Sequence, residues 1–208
     1  MEEAILDESR GNGDFNFPFR FVAEYLAASD LAFGNLESVI SDKGTNTKTF
    51  LETVGYGVSL RADPRAVEGL KYAGFDILNL ANNHAGDYGF EALEDSFQRL
   101  VSAGISYVGA GKDYSEAHSA VIREIRGTKI AFLGYSNTPM YADVTGTSPT
   151  SKWIARGPEN DTQQRSGIAW AHDTRFEKYG DFSGMENDIR QAKNQADIVI
   201  VSLHFGWE

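Results

Sequence analysis

The chain has 208 residues, enough for one substantial domain with a core of its own. Its 19 Lys and Arg against 30 Asp and Glu leave a net charge of −11, the wrong sign for gripping a phosphate backbone along a broad face, so nucleic acid is excluded as a surface-bound partner. It has no cysteine, which removes disulfides, thiolate metal sites and a cysteine nucleophile, and leaves any metal to histidine, amide and carboxylate groups.

The opening stretch MEEAILDESRGNGDF has neither the basic start nor the apolar run of a secretory signal, and no run of eighteen apolar residues follows it, so the chain as written reads as soluble. A charged, glycine-rich opening is also a poor start for an α/β domain, and it points to missing upstream sequence. In chain order, the expected strands are Leu31–Glu37, Phe75–Ala81, Ile105–Gly109, Ala120–Ile125, Lys129–Ser136 and Asp197–Phe205. Three of them are apolar on both parities, the pattern of a central strand buried on both faces. Between strands, Asp63-Pro64 offers an N-cap and a first-turn proline, Val67, Leu70 and Ala73 share a helical face, and Gly74 is the stop. Gly89–Ala103 repeats the device, with Phe90, Leu93, Phe97, Leu100 and Val101 at helical spacing and Gly104 beyond the end. A further helix is expected over Met185–Ala196. The alternation is βαβα, a sheet between helical layers.

One region breaks the rhythm. From Thr138 to Gly184 the chain is rich in proline, glycine, serine and threonine and carries Trp153, Arg156, Arg165, Trp170, His172 and Arg175, far beyond an ordinary connection. It reads either as a loosely packed insertion or as a substrate loop, since aromatics and arginines are unusual furniture for a linker.

Three buried-looking strands end in chemistry. FGNLES puts Asn35 and Glu37 at one tip, NLANNH puts Asn82, Asn83 and His84 at a second, and SLHFGWE puts His204 and Glu208 at a third. Ligands of open α/β sheets gather at the carboxyl ends of strands. Carboxylate, amide oxygen and imidazole form a donor set suited to Mn²⁺, Fe²⁺ or Zn²⁺. Each tip also has a plainer reading: Asn35 and Glu37 as turn caps, Asn82 and Asn83 as left-handed turn residues, and His204 as a core histidine. His118 and His172 read as loop residues with no assigned role.

The blocks GNLES (34–38), LKYAGFDILNLANNHAGDYGFEAL (70–93), AGISYVGAGKDYSEA (103–117) and ADIVIVSLHFGWE (196–208) together resemble the bacterial poly-gamma-glutamate capsule-synthesis family, which is similar to calcineurin-like metallophosphoesterases. The resemblance implies a layered α-β-β-α metallophosphoesterase-like sheet with flanking helices, in one domain over residues 1–208. It implies Asn83 as a metal ligand, His84 as the neighbouring general acid, His204 as a metal-ligating histidine, and Glu37 with Asn35 in place of a bridging aspartate. The cofactor implied is a divalent metal ion, Mn, Fe or Zn. The wider superfamily also has an early Asp-x-His strand and a late Gly-His-x-His strand; neither is in this sequence, so the expectation is either a segment of a longer protein or a divergent, metal-deficient member, with a weak or empty site.

Two functional classes follow from the resemblance. One is a metal-dependent hydrolase of phosphate esters or of amide bonds in an envelope polymer. The other is a non-catalytic subunit that binds poly-gamma-glutamate or membrane capsule-synthesis subunits during synthesis or export. Either implies a place in the cell envelope, on its outer face. A polyanionic ligand meeting a chain of charge −11 needs a local basic strip or bridging cations; Arg156, Arg165 and Arg175 are the candidates for the strip, with Trp170 as a further substrate-binding candidate.

Overall fold

A computed structural model describes residues 11–48, 58–137, 167–169 and 183–205. In chain order the strands are β1 (Phe33–Asn35), β2 (Val39–Ile40), β3 (Arg61–Ala62), β4 (Ile77–Asn79), β5 (Ser106–Val108), β6 (Ala110–Gly111), β7 (Val121–Ile125), β8 (Thr128–Ser136), β9 (Gly167–Ile168) and β10 (Ile198–His204). The helices are α1 (Ala23–Ala27), α2 (Ala66–Ala73), α3 (Gly89–Ser102), α4 (Tyr114–Ala117) and α5 (Ser183–Lys193). All six expected strands form, most of them shortened to the residues that find a ladder partner, and the expected helices form within a few residues of their read bounds. The architecture is mixed α/β. One three-stranded sheet has the order β1-β4-β5, and another has the order β10-β8-β7. The chain divides into two compact units, one made of Met1–Leu78 with Asp87–Ser106, the other of Asn79–Gly86 with Tyr107–Glu208.

In the first unit, Gly74 is the helix stop it was read as, whereas the N-cap of α2 is Arg65, without a side-chain cap, and Asp63 instead holds the turn just ahead of the helix. The Asp63 carboxylate accepts the backbone N–H of Arg65 at 2.8 Å and also its guanidinium. The side-chain and then the backbone hydrogen bond from Arg65 hold its pKa down to about 2. Gly74 ends α2 at φ +85, a left-handed conformation in which a Cβ is strained. The apolar face of α3 buries Ala92, Leu93, Phe97 and Leu100, and β2 buries Val39 and Ile40. Ser96 of α3 accepts the Ile40 N–H at 2.9 Å and donates to the Ala92 carbonyl, so this buried hydroxyl is matched on both sides. Beyond β2, the buried carboxylate of Asp95 accepts from Ser41 Oγ at 2.7 Å and Arg99 Nε at 2.7 Å, and it faces Lys43 Nζ at 2.9 Å. Burial alone would raise its pKa; the three donors together hold it below the usual carboxylate range.

In the second unit, β8 is central, parallel to β10 and antiparallel to β7. Helix α5 lays Ala192, Ile189 and Met185 against Leu133 and Tyr135 of β8 and Val199 and Val201 of β10. Asn79, fully buried, occupies a slot made by two glycines: a Cβ at Gly134 would stand 2.1 Å from its Oδ1, and one at Gly109 would stand 2.7 Å away. That amide spans its own turn, accepting the Ala81 N–H at 3.2 Å and donating to the Ala81 carbonyl. His118, read from sequence as a loop residue, is instead the C-cap of α4. Its Nδ1 lies 2.6 Å from Asp188 Oδ2, the oxygen that also accepts from Tyr135 O–H at 2.7 Å, and its ring stacks on Tyr114. The correction has a simple cause: the helical turn Tyr114–Ala117 is too short to show a periodicity.

The final strand also departs from its sequence reading. β10 was expected to be buried on both faces, yet Ile198 is 47 %, Ile200 40 % and Leu203 39 % exposed. Its N–H and C=O groups pair along the β8 side in unbroken register from Ile198↔Ile130 to His204↔Ser136. Among the described residues no strand pairs with its other edge, so an apolar sequence stands at the margin of the sheet.

Candidate metal and proton-transfer site

The second unit brings together residues that lie far apart in sequence. β4 leads into a bend and then a continuous turn over 83–88, so the chain that has just been buried as Ile77, Leu78 and Leu80 reverses at Asn82, Asn83 and His84. These three side chains are buried, at 0 %, 1 % and 6 % exposure. Asn82 Oδ1 accepts the backbone N–H of His84 at 3.1 Å, an Asx-type turn that fixes the His84 main chain. Neither asparagine has a positive φ, so tolerance of left-handed backbone is not the reason for either of them.

His204 arrives from the end of β10. Its main chain is set by the parallel ladder, opposite Ser136, and by the Asn137 N–H donated to its carbonyl at 2.9 Å. Its Nε2 then stands 2.9 Å from Asn83 Oδ1. Because the amide oxygen can only accept, the imidazole donates from Nε2 in this arrangement. Two ligands of one ion, each about 2.1 Å from it and meeting at a right angle, stand about 3.0 Å apart. The Asn83–His204 spacing fits adjacent positions on one divalent ion. Both donors are neutral, so carboxylates would have to supply charge compensation.

Asn35 and Glu37 belong to the first unit. Asn35 is the exposed last residue of β1, and Glu37 is half-buried two residues beyond it. Among the described residues no three His, Cys, Asp or Glu side chains cluster as a metal cage would. Arg156, Arg165, Trp170, Arg175 and Glu208, with most of the segment 138–184, lie outside the described residues.

Two features here escape sequence reasoning. Ser136, fully buried, faces His204 across the β8–β10 ladder, and only the strand register reveals it. Asp87, fully buried three residues after His84, is paired with Lys48 at 2.6 Å. The quoted block containing Asn83 and His84 includes Asp87, but nothing in its neighbourhood points to a lysine 39 positions earlier.

Comparison with known proteins adds the family. The chain is 30% identical over 195 residues to a capsule biosynthesis protein CapA of Bacillus anthracis, a match covering 93% of this chain and 41% of that protein. It is 28% identical over 191 residues to a PGA biosynthesis protein CapA of Bacillus subtilis, covering 91% and 42%. The chain thus spans about two fifths of the length of these curated relatives. Among solved structures, a Staphylococcus aureus chain described as a 5′-nucleotidase superposes on 86% of this chain and 29% of its own, at 16% identity and a TM-score of 0.47. No helix among the described residues is long and apolar enough to cross a membrane. The family described as bacterial capsule synthesis protein PGA_cap matches residues 1–208 from end to end, and the chain belongs to that family.

Proposed function

We propose that this chain is the metallophosphoesterase-like part of a protein that works in poly-gamma-glutamate capsule biosynthesis at the cell envelope, and that it acts there as a metal-dependent hydrolase. The observation that carries this reading is the Asn83–His204 contact at 2.9 Å, one residue from His84 in a buried turn. Asn83 and His204 would hold the ion. When bound, a divalent ion of the Mn, Fe or Zn class polarises a scissile phosphoryl or carbonyl group and lowers the pKa of water. The protein's own part is proton transfer and positioning. His84, with its main chain fixed by Asn82, donates a proton to the leaving group. Arg156, Arg165, Arg175 and Trp170 would meet the anionic polymer.

Both relatives are named for making a polymer, and that observation favours a second reading in which the same surface binds poly-gamma-glutamate or partner capsule-synthesis subunits without cleaving a bond. Replacing side chains separates the two. In a form of the protein that turns over poly-gamma-glutamate or a generic phosphodiester, His84→Ala should lower turnover by roughly 10²–10⁴ with metal content nearly unchanged, because proton transfer and not coordination is lost. Asn83→Ala should lower both. Full turnover in His84→Ala removes the acid role, and polymer binding that survives every one of these substitutions, with no turnover in the parent, selects the binding subunit.

A further inference from the structure

We infer that Lys48 is a positioning residue for His84, acting through Asp87, an inference that rests on the acid role proposed for His84. His84 and Asp87 lie in the one continuous turn 83–88. At its far end Asp87 is engaged through both carboxylate oxygens and its carbonyl. Its Oδ1 faces Lys48 Nζ at 2.6 Å, its Oδ2 accepts the Leu60 N–H at 2.7 Å, and its carbonyl accepts from the Thr47 N–H at 2.8 Å and from Thr47 Oγ1 at 3.1 Å. Asn46 Oδ1 draws the two contributing segments together by accepting from the Lys48 N–H at 2.7 Å and from Ser59 Oγ at 3.0 Å. The next residue is gripped as well. Arg61 lies 4.3 Å over the Tyr88 ring, and Gly44, at φ +72, packs so closely on the Tyr88 carbonyl that a Cβ would come within 2.0 Å of it.

The ion pair is buried on both sides, with the Lys48 side chain 8 % and the Asp87 side chain 0 % exposed. Removing two charges from water costs about as much as their attraction returns, and apolar residues of similar volume commonly serve stability as well or better. Stability is therefore a weak reason for this pair. What it provides is direction: a charge fixed on one oxygen of Asp87 selects one geometry for the turn, while Asn82 fixes the turn at its other end. His84 lies between these two restraints.

The test uses imidazole NMR on this chain, with His118 as an internal reference because its ring is held by Asp188 and Tyr114. Lys48→Met alone strands the buried Asp87 charge and endangers folding, so the decisive protein is the double variant Lys48→Met/Asp87→Asn, which removes both charges and keeps an acceptor for the Leu60 N–H. The expected result is a folded protein with unchanged His118 signals and displaced or multiplied His84 signals; in a form of the protein that turns over, turnover falls about tenfold or more with KM changed far less. A double variant that unfolds, or that folds with His84 signals unchanged, overturns the inference. Displaced His84 signals together with a fully active His84→Ala would support the anchoring by Lys48 and overturn the acid reading instead.

Discussion

At the scale of single residues, the buried carboxylates show how this acidic chain keeps charge inside. Asp95 is surrounded by Ser41, Lys43 and Arg99, and its folded pKa is lowered against the opposing effect of burial. A lowered folded pKa means that its contribution is present above the unfolded carboxylate value, about 3.9, and is lost as the pH falls through the folded one. Asp95→Asn should therefore cost about 1–3 kcal/mol at pH 7, where it leaves Lys43 and Arg99 without their counter-charge. In urea unfolding the difference from the parent should shrink below about pH 4, as the parent's own carboxylate takes up its proton. A difference that stays constant from pH 7 to pH 3 would show that the hydroxyl and guanidinium hydrogen bonds matter without the charge.

At the scale of elements, the second unit is organised by what glycine leaves out. Gly134 sits in mid-strand on β8 with ordinary extended backbone, so its role is purely steric: it makes the space that the Asn79 side chain fills. A methyl group there would meet Asn79 Oδ1 at 2.1 Å, displacing an amide that closes the turn leading to Asn82 and His84. Gly134→Ala should destabilise by about 2–4 kcal/mol, the range for forced overpacking with loss of a buried hydrogen bond. Thermal unfolding checks this, and Asn79→Ala in the same background should recover part of the loss if the clash is the cause.

At the scale of the whole molecule, apolar surface lies where a central strand was expected. Among the described residues no strand pairs with the outer edge of β10, whose Ile198, Ile200 and Leu203 are exposed, with Phe205 70 % exposed beyond them, and the seven-residue strand carries no lysine or proline. Such a row binds hydrophobic dyes. Ile198→Thr/Ile200→Thr, which keeps β-branching, should reduce dye fluorescence clearly while changing stability by no more than about 1 kcal/mol. Unchanged fluorescence would mean that these side chains are covered in solution.

The sequence by itself determined the alternation of strands and helices, because burial on a sheet or a helix face is written in the period of apolar residues, and because Gly74 and Gly104 punctuate the helices through local backbone chemistry. It also brought Asn83, His84 and His204 forward, since each follows an apolar strand where a side chain can face a ligand. What it could not contain is which tips meet. The Asn83–His204 contact joins residues 121 positions apart and exists only because β10 pairs in register with β8. Lys48 reaches Asp87 across 39 positions, a pairing no local pattern encodes. The exposure of β10 has the same origin: apolar residues on both parities state what a strand can bury, and only its neighbours in three dimensions decide what it does bury.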